Sequence, residues 1–249
     1  SRGLGDVYKR QEQPIRYLIN THVHPDHIGG NATFAQAGTN FAAGNVAGLI
    51  DDAANTATII AHENVLLRMS SQETPPPFEA WPTDAFFSDS KEVYFNGEAV
   101  RVLHQPAAHT DGDSIVFFRR SDVISTGDLF VTTGYPYIDL ARGGSIQGVI
   151  GALNQILELT VPADRQEGGT MVIPGHGRLC DEADVVEYRD MLTIIRDRIQ
   201  YMVDQGMSLR EVQSARPTLD YDGRYGAESG FWTTGQFVEA VYVGLNQGN

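Results

Sequence analysis

Along residues 14–20, PIRYLIN, the apolar side chains of Ile15, Tyr17 and Ile19 alternate with Arg16, Leu18 and Asn20, and this period of two predicts a strand. NATFAQAG, ending at Gly38, reads as a short helix closed by glycine, and HENVLLRMSS (62–71) as a second, with Val65, Leu66 and Met69 on one face. TPPPFEAWP (74–82) carries too many prolines for a helix or a central strand and predicts a surface loop or lid. The pattern then turns β-rich. KEVYF and EAVRVLH flank Asn96-Gly97, the strongest short hairpin signal, and SIVFFR (114–119) and DVISTG (122–127) predict another strand pair. From Ser145 the period changes to helical, with Ile146, Val149, Ile150, Leu153, Ile156 and Leu157 on one face and Ser145 placed to cap. TMVIPGHG (170–177) predicts a buried strand, residues 182–206 a long amphipathic helix stopped by Gly206, and SLREVQ and GQFVEAVYVGL two shorter terminal helices.

The chain is 249 residues long with 41% apolar and 20% charged residues, which suits a globular domain with a proper core. Its formal charge of −14 argues against nucleic acid or an anionic membrane surface as partner, and no apolar run has the length of a membrane span. Acidity of this kind is usually a solvated surface, and the expectation of a small-molecule substrate rests on particular residues, not on charge. Cys180 stands alone, so an internal disulfide is excluded and the compartment is left open.

The chemistry is concentrated in NTHVHPDHIGGN (20–31), where three of seven histidines and an aspartate occupy six consecutive positions. Clustered imidazoles have no use in an apolar core but suit a metal ion. His22-x-His24 places two side chains on one side of an extended segment that leaves the first strand, and Asp26 and His27 follow. Three more metal-capable residues follow predicted strands, close to glycine: His109 in QPAAHTDGDS, Asp128 in ISTGDLF and His176 in IPGHGR. His62 and His104 read instead as surface or hydrogen-bonded core histidines.

The order HxHxDH, then H, D and H, resembles the metallo-β-lactamase superfamily of dinuclear hydrolases over roughly residues 15–180. The resemblance implies an α/β fold, a four-layer αβ/βα sandwich with the site at one edge. It also implies two zinc ions per chain: one held by His22, His24 and His109, the other by Asp26, His27 and His176, with Asp128 bridging. Two such ions about 3.5–4 Å apart can share a hydroxide nucleophile, which Asp26 would help to orient. Aspartate at position 128, where the best-known β-lactamases of the superfamily carry cysteine or serine, tilts the expectation toward ester, thioester or lactone substrates. β-Lactam hydrolysis by the same site is the alternative within the class, and a mononuclear iron persulfide dioxygenase the alternative outside it. Tyr135 and Tyr137, in VTTGYPYIDLARGGS, are candidate oxyanion donors, Phe78 and Trp81 a candidate apolar lid, and Cys180 a structural thiol.

Family members carry several strands ahead of the histidine motif, so the sequence is expected to be N-terminally truncated. Residues 1–11 contain DVYKRQ, which resembles a translated transposase adapter end. They are expected to be foreign to the fold, leaving residues 12–249 as the hydrolase domain, helical from 182 to 249. With its natural start missing, such a chain would carry no information on targeting, and its oligomeric state is open.

Overall fold

A computed structural model describes residues 14–39 and 56–246. Residues 1–11, expected to be foreign to the fold, lie outside the described residues. The chain divides into two compact units, Ser1–Phe87 and Ser88–Asn249.

The first unit is built on a three-stranded parallel sheet in the order β1 (Tyr17–Ile19), β2 (Thr58–His62), β3 (Asp84–Phe86), with Leu18 opposite Ile59 and Ile60 opposite Asp84. Parallel neighbours need a crossover. Between β2 and β3 it is supplied by helix α3 (Glu63–Ser70) and the proline-rich connector. The short helices α1 (Pro25–Ile28) and α2 (Asn31–Gln36) follow β1. Val23, Ile28, Ala61, Val65, Met69 and Ala80 form this unit's core. The connector is the loop its prolines predict, with one 3-10 turn at Phe78–Ala80, and the Trp81 indole N–H donates to the Pro76 carbonyl at 2.9 Å.

Helix α3 starts one residue later than its sequence suggests. His62 ends β2 and caps the helix, its Nδ1 accepting from the Asn64 amide at 3.3 Å. Strand β2 itself has no alternation to announce it, because Ile59, Ile60 and Ala61 are all buried, as a central parallel strand requires.

The second unit carries a five-stranded sheet in the order β4 (Ser90–Phe95), β5 (Glu98–Gln105), β6 (Asp113–Phe118), β7 (Val123–Ser125), β8 (Met171–Ile173). The first four are antiparallel neighbours and β7 and β8 are parallel. Asn96 and Gly97 turn the β4–β5 hairpin with φ of 52° and 78°, the left-handed pair that a two-residue turn demands. Helix α4 (Ile146–Leu159) crosses from β7 to β8, and Ser145 Oγ accepts from the Gly148 amide at 3.0 Å to cap it.

Its buried face, Ile146, Val149, Ile150, Leu153 and Ile156, shares one core with Val185, Tyr188, Met191, Leu192, Ile195 and Ile199 of the long helix α5 (Glu182–Asp204). Helices α6 (Leu209–Ala215), α7 (Asp222–Tyr225) and α8 (Thr234–Asn246) add Val212, Tyr225, Phe237 and Val241 to that core. The helical C-terminal region is therefore part of the second unit's core.

Candidate metal centre

In the first unit the histidine motif is held at both ends. Asn20 continues the β1 ladder by donating from its backbone to Ile60 O at 2.9 Å. Its buried side-chain amide exchanges two hydrogen bonds with that of Asn31, at 2.9 and 2.8 Å, and Asn31 also donates to Ala80 O at 2.9 Å. Between these asparagines Pro25 starts α1, where a missing N–H costs nothing, and the turn folds the histidines back on one another. The His22 ring lies 4.8 Å from His24 and 4.0 Å from His27, centroid to centroid. Thr21 Oγ1 is within hydrogen-bond distance of Nδ1 of both His22 and His27, at 3.2 and 3.4 Å. Contacts at Nδ1 of this kind fix ring orientation and turn Nε2 toward a ligand. Asp26 Oδ2 is 3.4 Å from His27 Nε2, and its side chain is half exposed.

In the second unit, Asp128 sits in the 3-10 turn Gly127–Leu129 directly after β7. Its Oδ2 is 3.7 Å from His109 Nε2 and 3.5 Å from His176 Nε2. His109 is wholly buried, and its Nδ1–H donates to Tyr137 O at 2.6 Å, a bond that fixes the tautomer and presents Nε2 to Asp128. The His109 loop is pinned by Asp113, whose carboxylate accepts from the Thr110 amide at 2.8 Å and hydroxyl at 2.7 Å. Burial pushes the Asp113 carboxyl up to about 8, against the lowering effect of its donors on Thr110 and His109. A Cβ on Gly175 would stand 2.0 Å from Asp128 Oδ1, so only glycine lets the His176 loop pass. The residues present, imidazoles and carboxylates with fixed orientations, suit a divalent ion of the zinc type. The free Cys180 thiol is buried, and that burial is the main cause that pushes it up to about 11.

The two candidate tyrosines part company. Tyr135 is buried and stacked 4.6 Å from Phe237, and its hydroxyl donates to Thr218 O at 3.2 Å and to Asp222 at 3.0 Å. Its hydroxyl is engaged within the second unit, so the expected role as an oxyanion donor gives way to a packing role. Tyr137 stays beside His109, its ring centroid 5.6 Å away. His104 donates from Nε2 to Asp111 O at 2.8 Å and His62 caps a helix, which leaves both in the structural roles expected of them.

Sequence reasoning missed Thr21, the Asn20–Asn31 pair and Asp113. The asparagines were the detectable ones, since they open and close the motif. Nothing local marks Asp113 off from the acidic residues around it.

The family model described as the metallo-β-lactamase superfamily matches residues 8–176. A linear primary-alkylsulfatase from Pseudomonas sp. (strain ATCC 19151) is 23% identical over 228 residues, 81% of this chain and 41% of that protein, so the chain spans about two fifths of that relative's length. A stereoselective inverting sec-alkylsulfatase from Pseudomonas sp. shares the fold with a TM-score of 0.67 at 16% identity, over 98% of this chain and 44% of that one. A metallo-β-lactamase from Pontibacter korlensis does so with a TM-score of 0.52 at 16% identity, over 76% and 74%. The mixed α/β architecture is thus the metallo-β-lactamase fold. The chain belongs to the metallo-β-lactamase superfamily.

Proposed function

We propose that the protein is a metal-dependent hydrolase of an ester-type bond, with two zinc ions held by His22, His24, Asp26, His27, His109, Asp128 and His176. In this reading His22, His24 and His109 serve one ion, Asp26, His27 and His176 the other, and Asp128 both. The observation that carries it is the convergence of His109 and His176 on one oxygen of Asp128, at 3.7 and 3.5 Å. A carboxylate met by two imidazole nitrogens on separate loops is what a bridging ligand needs. The first unit's histidines, oriented through Thr21, support the same reading, as does the order of the donors along the chain.

When bound, zinc supplies a Lewis acid and the means to ionise water near neutral pH, at a pKa of roughly 7. The chain's own residues then have distinct tasks. The Tyr137 carbonyl keeps the proton of His109 on Nδ1. Asp26 would accept a hydrogen bond from the attacking water and aim it, and no serine or cysteine nucleophile is required. The two alkylsulfatases make a sulfate ester the first substrate to test, followed by carboxylic esters, thioesters and lactones, with β-lactams as the comparison. The test is hydrolysis of this series with zinc added, alongside metal analysis. Two zinc ions per chain and activity that rises through neutral pH and disappears with chelator are expected. A trapped covalent acyl-enzyme, full activity after exhaustive chelation, or a single iron with persulfide oxidation would overturn the proposal.

A further inference from the structure

One group of side chains next to His109 has no part in holding a metal. Tyr137 stands edge-on to His109, and Phe231 and Trp232 both meet Tyr137 edge to face, at 5.1 Å and 67° and at 4.7 Å and 77°. The Trp232 indole N–H donates to Pro136 O at 3.0 Å, which ties the segment before α8 to the segment that holds His109. Phe231 and Trp232 also border a cavity of about 270 Å³ with Gly134, Tyr135 and Tyr225. All of these residues belong to the second unit. Phe231 is nevertheless 78% exposed. A large ring held at the surface by aromatic contacts forgoes the benefit of burial, and a ligand that covers it would recover that benefit.

We infer that Phe231 and Trp232 are specificity-determining residues that seat an apolar acyl or alkyl half of the substrate beside His109. The inference rests on reading His109 as a metal ligand of a hydrolase. Three observations point to an apolar occupant. The rings begin at Tyr137, within one substituent's reach of His109. The cavity behind them is close to the lower end of small-ligand pockets, about 300 Å³. Its lining contains no charged side chain among the described residues, so a second ionic group on the substrate would find nothing to pair with. In a chain of net charge −14, such a neutral aromatic wall next to the ligands selects for substrates with a single polar end.

The test compares the zinc-loaded wild type with Phe231→Ala, Ala227→Leu, which narrows the cavity, and Tyr201→Ala, an exposed aromatic of α5 that controls for lost surface apolarity. Two readouts are used: kcat/KM for p-nitrophenyl acetate against p-nitrophenyl decanoate, and binding of sodium decyl sulfonate, below its micellar range, by tryptophan fluorescence. Phe231→Ala should lower the decanoate-to-acetate preference about tenfold, Ala227→Leu should lower it as well, and both should weaken decyl sulfonate binding. Tyr201→Ala should change neither ratio nor binding. Binding that depends on Phe231 in a protein that hydrolyses no ester supports the apolar seat while removing the hydrolase reading. Hydrolysis with an unchanged preference, or decyl sulfonate binding equal in wild type and Phe231→Ala, overturns the inference and leaves the hydrolase reading in place.

Discussion

Asp128 accepts the approach of His109 and His176 on the same carboxylate oxygen, whereas His109 reaches only one side of the proposed centre. Asp128→Ala is therefore expected to loosen both zinc ions, and His109→Ala mainly one. Elemental analysis and zinc titration of the two variants check this, and an Asp128→Ala protein with two zinc ions at unchanged affinity would remove the bridging role. The Asn20–Asn31 pair makes a separate prediction. Asn31→Ala leaves the buried Asn20 amide and Ala80 O short of partners, at a cost of about 1–3 kcal/mol, read from denaturant unfolding. Unchanged stability would mean the amide pair does not hold the motif in shape. At this scale the metal-capable residues were legible, because histidine and aspartate in this order have little other use. Tyr135 was not. Whether its hydroxyl is left to meet a substrate depends on Thr218 and Asp222, more than eighty residues away in the chain.

Helix α4 shows how an element serves the site. Its first turn lies against the His109 loop: Ser145 Oγ donates to Ala107 O at 2.7 Å, and a Cβ on Gly148 would stand 1.8 Å from that same carbonyl. Gly151, one turn on, has open space around it. In an isolated helix both Gly→Ala changes would stabilise by about 0.5–1 kcal/mol. Here Gly151→Ala is expected to do so, while Gly148→Ala should destabilise the protein and weaken zinc binding by displacing the loop that carries His109. Thermal melts and zinc titrations of the two variants decide it, and equal behaviour would mean the close approach is not needed. The helix and its cap were readable from Ser145 and the 3.6-residue period. The need for glycine at 148, and its absence at 151, depends on a loop forty residues upstream. The hairpin at Asn96-Gly97 was readable for the opposite reason, since everything that fixes it is local. Strand β2 went unread because a fully buried strand has no polar face to alternate with.

For the whole molecule, zinc that binds the native chain and not the unfolded one should stabilise it by mass action. A hundredfold excess over Kd adds about 2.7 kcal/mol per site, and for a chain of this length that raises Tm by roughly 5–10 °C. A chelator should reverse the shift, and a midpoint indifferent to excess zinc would argue against metal binding in the native state. No helix among the described residues is long and apolar enough to cross a membrane, in line with the hydropathy of the sequence. By itself the sequence determined the features that short-range rules govern: the helical and β periods, the Asn96-Gly97 turn, the Ser145 cap and the ordered set of histidines and aspartates. It also determined the family, through a motif whose chemistry depends on residue type and spacing. Tertiary structure alone decided which tyrosine is core, which carboxylate pins the His109 loop, which glycines a passing backbone makes indispensable, and that Phe231 and Trp232 meet Tyr137, more than ninety positions earlier. Those outcomes depend on side chains far apart in sequence meeting at contact distance, and no local pattern encodes such meetings.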